Sequence, residues 1–183
     1  MIDIEAAAEF RAGLVAAAHK GLMSSLAFTR GGQIRVMIED LHVLEGFNPR
    51  IESGKLQAYI RSLANKIKAN GFYEHKPLSV YGHLKGKKPI LIVHDGHCRL
   101  AAVKLAISEG AEIGDLPVVI KDRSCTEEDL LIGMVTSNDG RPLSALERSI
   151  VCKRLVNFGW KHDRIAASLD LTVDYVDKLL ILA

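Results

Sequence analysis

The fold of this chain is constrained most by one stretch of the sequence. In it a short apolar run, a glycine turn and an amphipathic helix follow one another directly. Ile90–Val93 is short and rich in β-branched residues, which predicts a buried strand. After the turn, apolar side chains recur at helical spacing: Leu100, Val103 and Ile107. Asp95-Gly96-His97 is therefore predicted to lie at a strand-to-helix turn, around which the rest of the chain folds.

Gly96 and Arg99 make this turn a candidate anion site. Gly96 allows the backbone to turn tightly or to approach a ligand closely. The start of a helix presents backbone N–H groups that have no partner within the helix, and Arg99 adds a fixed cation beside them. This combination favours a phosphate-bearing ligand. A tight turn with a surface arginine is the alternative interpretation.

The charge of the chain is unevenly distributed. Its 183 residues suffice for one or two small domains, and the net charge is only +2. Residues 50–123, however, hold thirteen Lys and Arg against seven Asp and Glu, which leaves +6. A basic central segment suits a phosphate-bearing ligand or a nucleic acid.

The sequence also predicts where the protein works. No apolar run approaches membrane-spanning length, and the N-terminus lacks a signal-peptide pattern. Its three cysteines lack the paired spacing of zinc ligands. We therefore expect a cytoplasmic protein in a reducing setting, with no membrane among its partners.

Apolar spacing predicts the other elements of the N-terminal part. An Ala-rich helix over 4–18 is expected in an N-terminal arm, residues 1–30. A basic hairpin-like loop is expected over 82–88. Strands are predicted at 33–38, 77–81 and 117–121. An amphipathic helix that ends at Gly71 is indicated by four apolar residues: Leu56, Ile60, Leu63 and Ile67.

The C-terminal part is predicted to be helical. One helix follows Thr126 as far as about residue 136, and a capping box at 144–147 opens another that runs to about residue 157. Two short helices follow, separated by the turn 169–171, which indicates a helix-turn-helix or an ordinary helical hairpin. The side chains predicted to point inward there are Ile165, Ala166, Val173, Val176 and Leu180.

These elements predict three parts of the chain. The arm, residues 1–30, precedes a domain over 31–136, and a helical linker with the helix pair occupies 137–183. The sequence stops within a helical pattern that has no termination signal. We expect that a further C-terminal part, such as a dimerisation domain, is missing.

The order of the motifs resembles the ParB family of partition proteins over residues 33–183. The family's phosphate box is represented by Gly96-His97-Cys98-Arg99, and its Glu-Asn-x-x-Arg box by residues 137–141. The remaining shared motifs are Asn48-Pro49-Arg50, Asn70-Gly71, the strand at 76–80 and the helix start at 143–147. The resemblance implies an α+β fold: a ParB/sulfiredoxin-like N-terminal domain with a small mixed sheet, followed by an all-α helix-turn-helix domain.

The resemblance also implies a function. Proteins of this kind are dimeric clamps that bind CTP with Mg²⁺, close over DNA, and act on the nucleoid in partition or regulation, with a partner ATPase in some cases. By position, the nucleotide would be bound by Arg50, Gly96, His97, Cys98, Arg99, Asn138 and Arg141, and Asn138 would also place the metal. DNA would be contacted by Lys161, His162, Arg164, Thr172, Tyr175 and Lys178.

Three departures from the family pattern weaken parts of this expectation. His97 and Cys98 replace a glutamate and an arginine of the phosphate box, and Ser137 replaces the glutamate of the second box. A hard oxygen anion for magnesium is thereby lost, so we expect at most a slow CTPase. In the last helix Asp174 and Asp177 would face phosphates, which predicts weak or mostly non-specific DNA binding.

Two other functions compete with this one. The turn is similar to the Asp-Gly-His-His-Arg of free serine kinases, and to the Gly-Cys-His-Arg of sulfiredoxin with cysteine and histidine exchanged. An enzyme of the second kind would use Cys98, whose pKa Arg99 and the helix start could lower. An adaptor that keeps the fold without the nucleotide is the third hypothesis. The C-terminal helix pair favours DNA binding because neither enzyme requires one.

Overall fold

The fold is taken from a computed structural model that describes residues 33–44, 46–85, 88–120, 126–136 and 141–183. The chain divides into two compact units. The first runs to Phe47 and resumes at Glu52–Ser124, and the second comprises Asn48–Ile51 and Cys125–Ala183. The predicted arm at 1–30 and the box residues 137–140, Asn138 included, lie outside the described residues.

A mixed sheet of five described strands forms the centre of the first unit, in the order β1-β5-β3-β4-β2. The pairs β1–β5 and β3–β4 are antiparallel, whereas β3–β5 and β2–β4 are parallel. A short 3₁₀ turn, Ile38–Asp40, separates the first two strands. The strands are β1 (Gln33–Met37), β2 (Leu41–His42), β3 (Leu78–Lys85), β4 (Lys88–Asp95) and β5 (Asp115–Ile120).

The β3–β4 hairpin is longer than the sequence indicated. The predicted strand stopped at residue 81, and residues 82–88 were expected to form a hairpin-like loop. A hairpin does connect the two strands there, but the predicted end of the strand and the bounds of the loop are wrong. Pairing runs from Ser79 opposite Asp95 to Lys85 opposite Lys88, so only residues 86 and 87 lie between the strands. Backbone hydrogen bonds stabilise the extended part of the hairpin, and the alternation of hydrophobic residues in the sequence does not indicate such bonds.

Two helices share one hydrophobic core with the sheet: α1 (Gly54–Asn70) and α2 (His97–Ser108). Ser53 caps α1 by accepting a hydrogen bond from the backbone N–H of Leu56 at 3.2 Å, and Gly71 closes it as predicted. The core contains Ile34, Val36, Leu41, Ala64, Ile67, Leu78, Val80, Leu91, Val93, Leu100, Ala102, Val103, Ala106, Leu116 and Val118.

The buried face of α2 differs from the predicted one at its end. Leu100 and Val103 are buried as expected, but Ile107 is 37% exposed. The inward positions of the last turns are taken by Ala102 and Ala106. Their small side chains leave room for the neighbouring elements, so the buried stripe centres on them and turns Ile107 to its edge.

The second unit is helical, as the sequence predicted. It consists of α3 (Glu127–Thr136), α4 (Ala145–Asn157), α5 (His162–Leu169) and α6 (Val173–Leu182). The capping box is confirmed, because Ser144 Oγ accepts from the Glu147 N–H at 3.3 Å and Glu147 Oε2 accepts from the Ser144 N–H at 2.8 Å. Large side chains buried in it include Leu130, Leu131, Leu155, Ile165 and Leu179.

The face that α6 buries differs from the predicted one at both ends. Val176 is buried as predicted, but Val173 is 45% exposed, and Leu179 is buried where Leu180 was expected to be. The predicted set was wrong because a ten-residue helix has room for several apolar stripes. Ile165 and Ala166 of α5 are buried as expected.

The division into units cuts across the order of the chain. Residues 48–51 belong to the second unit although they lie between β2 and α1, and α3 groups with the C-terminal helices. The functional boundary expected after residue 136 stays a prediction. None of the described helices has the length and apolar character that crossing a membrane requires.

Candidate functional site

The glycine turn between β4 and α2 has the geometry that the sequence predicted. Gly96 is the N-cap of α2 with φ 101°, a region that favours glycine, and its carbonyl accepts from the Leu100 N–H at 2.8 Å. A Cβ at this position would collide with Leu78 Cδ2 and lie 3.2 Å from Arg99 Nη2. The glycine is therefore required both by its backbone angle and by the packing around it.

Arg99 is fixed against this turn. Its Nη2 donates to Asp95 Oδ2 at 2.9 Å, and its Nη1 donates to the carbonyl oxygens of Pro77, at 3.1 Å, and Lys76. The side chain is 18% exposed. Arg99 thus links the start of β3 to the start of α2, and a phosphate must either use its remaining donors or replace Asp95.

The other two residues of the predicted phosphate box begin α2. His97 and Cys98 occupy its first two positions and are half-buried. Backbone N–H groups at a helix start, together with the positive end of the helix dipole, favour an anion at this place. The first unit therefore brings Gly96, His97, Cys98 and Arg99 into one turn.

The second unit brings together two further predicted residues, Arg50 and Arg141. The Arg50 Nη2 donates to the Arg141 carbonyl at 2.7 Å, across 91 positions of the sequence. The Arg50 N–H donates to Asn48 Oδ1 at 3.1 Å, which shapes the short segment 48–51. Arg141 Nη1 lies 3.5 Å from Glu147 Oε1. The Arg50 guanidinium thus contacts the backbone of Arg141, whose own guanidinium faces the Glu147 carboxylate.

Sequence reasoning missed the role of Glu147, which it recognised only as part of a capping box. The residue is 1% exposed, and its Oε1 accepts from the Ile51 N–H at 3.1 Å. Burial raises the pKa of Glu147, but the backbone hydrogen bonds from Ser144 and Ile51, the Ser144 hydroxyl and the Arg141 charge outweigh it and hold the pKa below its ordinary value. The carboxylate is therefore ionised at neutral pH.

The six residues predicted to contact DNA lie on α5, α6 and their flanks. Lys161 is the exposed N-cap of α5, and Thr172 caps α6 by accepting from the Tyr175 N–H at 3.3 Å. His162 Nδ1 and Asp177 Oδ1 are 2.6 Å apart. The Lys178 Nζ donates to Asp174 Oδ2 at 2.7 Å, so each acidic residue of α6 stands next to a basic partner.

Arg164 has an aromatic neighbour that the motif pattern did not indicate. Its guanidinium carbon lies 3.5 Å from the ring centroid of Trp160, with Trp160 half-buried and Arg164 exposed. A cation stacked on an aromatic face is held in place while its outer side stays in water. The four-residue spacing of Trp160 and Arg164 across the start of α5 was the sequence signal that could have indicated this contact.

The donors that magnesium prefers are carboxylate and amide oxygens. Among the described residues, no group of three His, Cys, Asp or Glu side chains is arranged to hold a metal ion. The Glu147 carboxylate already accepts hydrogen bonds from two backbone N–H groups. Asn138 lies outside the described residues. The metal therefore stays a prediction tied to the nucleotide.

The mixed sheet with its glycine turn, followed by the C-terminal helices, is a ParB-like α+β fold, and the expected resemblance is confirmed at the level of the fold. The solved structure of C-terminally truncated chromosome-partitioning protein ParB from Caulobacter crescentus, complexed to the centromeric parS site, matches with a TM-score of 0.53. The two sequences are 19% identical, and the match covers 80% of this chain and 69% of that chain.

Two further solved structures are similar, with lower TM-scores. The same Caulobacter crescentus protein complexed with CTP-gamma-S matches with a TM-score of 0.45 at 20% identity, covering 82% of this chain and 77% of that chain. A Pnob8-like ParB-N domain matches with a TM-score of 0.46 at 19% identity, covering 78% of this chain and 48% of that chain. No family model matches the sequence, and no curated protein matches it.

Proposed function

We propose that this chain is a CTP-gated DNA-binding protein of the ParB type, acting as a dimeric clamp in DNA partition or in transcriptional regulation. The observation that carries the proposal is the likeness of fold to a ParB that is complexed to its centromeric site, over 80% of this chain. In cells it would act in the cytoplasm on nucleoid or plasmid DNA, with a partner ATPase as a further prediction.

Two groups of described residues support a nucleotide ligand. Gly96 and Arg99 form one, at the positive end of a helix, and Arg50 and Arg141 form the other, where the Arg50 guanidinium donates to the Arg141 carbonyl. Phosphate oxygens are the natural partners of such donors. The choice of CTP rests on the motif order of the sequence, and so does the inclusion of Asn138.

We further propose that hydrolysis is slow or absent. Ser137 and His97 stand where the family pattern has glutamates, so neither water activation nor the metal shell is complete. Mg²⁺ would enter with the nucleotide and neutralise its phosphates. The arginines of the predicted nucleotide-binding set would then orient the polyphosphate rather than cleave it.

DNA binding is assigned to the pair α5–α6 as a helix-turn-helix. Lys161 and Arg164 are exposed at the start of α5, where a backbone phosphate gains from both the cations and the helix dipole. The acidic side chains of α6, Asp174 and Asp177, disfavour close approach to phosphates. We therefore expect the second unit to bind DNA weakly and with little sequence preference.

Calorimetric titration with each of the four nucleoside triphosphates, in the presence of magnesium, tests the nucleotide. CTP is expected to bind in preference to ATP, GTP and UTP. Arg99→Ala should weaken CTP binding about tenfold or more, because it removes a charge-assisted contact worth about 1.5–3 kcal/mol.

Asp95→Asn is the matched control for that variant. It removes the carboxylate that Arg99 Nη2 contacts at 2.9 Å but keeps the arginine, so CTP affinity should be retained or increased. Thermal unfolding of both variants separates binding from stability. Absence of heat with every triphosphate contradicts the proposal in favour of the adaptor. Serine turnover with ATP or ADP, or sulfinic acid reduction lost in Cys98→Ser, points to an enzyme instead.

A further inference from the structure

A buried carboxylate, that of Glu147, helps to hold the short segment Asn48–Ile51 in the second unit. The chain leaves the first unit after Phe47 and returns to it at Glu52. Between these points, the Ile51 N–H donates to Glu147 Oε1 at 3.1 Å. A carboxylate that is 1% exposed and accepts backbone N–H groups is costly to displace, so the segment has a fixed attachment.

The same carboxylate faces Arg141. Its Oε1 lies 3.5 Å from Arg141 Nη1, a distance of charge attraction rather than of a well-formed hydrogen bond. Among the described residues, this buried Nη1 has no hydrogen-bond partner. Glu147 therefore attracts the Arg141 guanidinium without saturating its donors, and an anionic ligand could still use them.

Arg50 completes a closed ring of contacts. Its Nη2 donates to the Arg141 carbonyl at 2.7 Å, and its chain neighbour Ile51 donates to Glu147. Each member of the ring fixes the next, although the two stretches of chain are more than 90 residues apart. With both arginines charged and Glu147 ionised, the ring carries one net positive charge.

We propose that Glu147 is a positioning residue, which holds Arg50 beside Arg141 so that both guanidinium groups act on one polyphosphate. This inference rests on the proposed nucleotide-binding function and adds to it the residue that aligns the two arginines. Glu147 does not touch the ligand. It fixes the backbone next to Arg50 through the Ile51 N–H and attracts the Arg141 guanidinium, whose Nη1 stays available to a phosphate oxygen.

Helix capping alone does not account for these contacts. A capping box needs the Ser144 N–H and hydroxyl, at 2.8 Å and 3.3 Å. The contacts of Glu147 with Ile51 and Arg141 go beyond that motif. Ser144→Ala therefore serves as the control, because it removes the hydroxyl of the cap and keeps Glu147 with its two other partners.

The test is Glu147→Gln, measured by calorimetric titration of the full chain with CTP and magnesium and by amide exchange at Ile51 without nucleotide. The variant removes a negative charge, so the net charge of the ring rises from +1 to +2. If Glu147 acted through its charge alone, the variant would therefore bind CTP more tightly. A positioning role predicts the opposite: CTP should bind about tenfold more weakly or worse, and the Ile51 N–H should exchange faster. The reason is that the –NH2 group of the glutamine side chain would face one of the two backbone N–H groups that the carboxylate now accepts from. Ser144→Ala should lower the unfolding temperature and leave the CTP affinity unchanged.

The outcomes separate the two proposals. If the unaltered chain does not bind CTP, the proposed function itself fails. If it binds CTP and Glu147→Gln binds equally well or better, only the positioning role is overturned. Should Glu147→Gln fail to fold, Glu147→Asp replaces it, since the charge is kept while the shorter side chain cannot reach both backbone N–H groups, and the same loss of CTP affinity is expected.

Discussion

Among single residues, Gly96 shows two requirements acting at one position. Its φ of 101° excludes most side chains, and the Cβ of any other residue would meet Leu78 at the start of β3. Leu78 is fully buried in the core of the first unit. The turn that precedes α2 and Arg99 is therefore also a packing contact, and its geometry cannot change without disturbing the core.

Gly96→Ala should destabilise the first unit by about 1–3 kcal/mol from backbone strain, with the Leu78 collision added to it. Gly110 is a matched control, since it has φ 90° and a Cβ placed on it would have no neighbour within 4 Å. Gly110→Ala should show the backbone cost alone. Thermal unfolding of both variants measures the difference. Equal losses of stability would show that the Leu78 contact relaxes without cost.

Among the strands and helices, β1 is an edge strand that pairs with β5. Arg35 of β1 reinforces this pairing by donating to the Asp115 side chain at 2.9 Å and to Glu74 at 2.7 Å. The hydrogen bond from Arg35 lowers the pKa of the Asp115 carboxyl. The group is exposed to solvent, so salt is expected to weaken the interaction.

The lowered pKa of Asp115 determines the direction of a pH effect. Because it lies below the value in the unfolded chain, about 3.9, the interaction stabilises the fold above that pH and is lost as the pH falls through the folded value. Asp115→Asn should therefore lower the unfolding temperature at pH 7, and the difference from the unaltered chain should shrink as the pH falls below the pKa of the unfolded chain. Glu112→Gln, an exposed acid on the same connection, controls for the loss of one charge. A constant difference between Asp115→Asn and the unaltered chain at all pH values would contradict this account.

Across the whole chain, the second unit contains a segment that interrupts the first. Asn48–Ile51 connects β2 to α1 in sequence but is bonded to Arg141 and Glu147 at the start of α4. A ligand bound to Arg50 and Arg141 would favour one arrangement of this segment over others. Differential binding of that kind is what a conformational switch requires.

We expect CTP to order residues 137–160 and to promote self-association through them, while DNA contacts stay with residues 161–180. The reason is that the second box leads directly into the capped helix α4, which a ligand on Arg141 would fix. Hydrogen exchange with and without CTP, together with sedimentation, measures both effects. Protection confined to residues 96–99, with 137–160 unchanged, would indicate a bound nucleotide without a gate.

The local elements could be predicted from neighbouring residues alone. An apolar run, a glycine and a helical pattern defined the β4–α2 junction, and Ser144 with Glu147 defined the start of α4. These features depend on residues within a few positions of one another, so their physical causes are visible in the sequence. The motif order likewise led to the ParB-like fold that the likeness to a solved ParB bears out.

Contacts between distant residues, in contrast, could not be predicted and are seen only in the folded chain. Arg50 contacts the carbonyl of Arg141, Ile51 donates to Glu147, and the guanidinium of Arg99 contacts the carbonyls before β3. Periodicity shows which side of an element turns inward but not which partner it finds there. Such contacts depend on the packing of whole elements, whose positions result from all the core residues together.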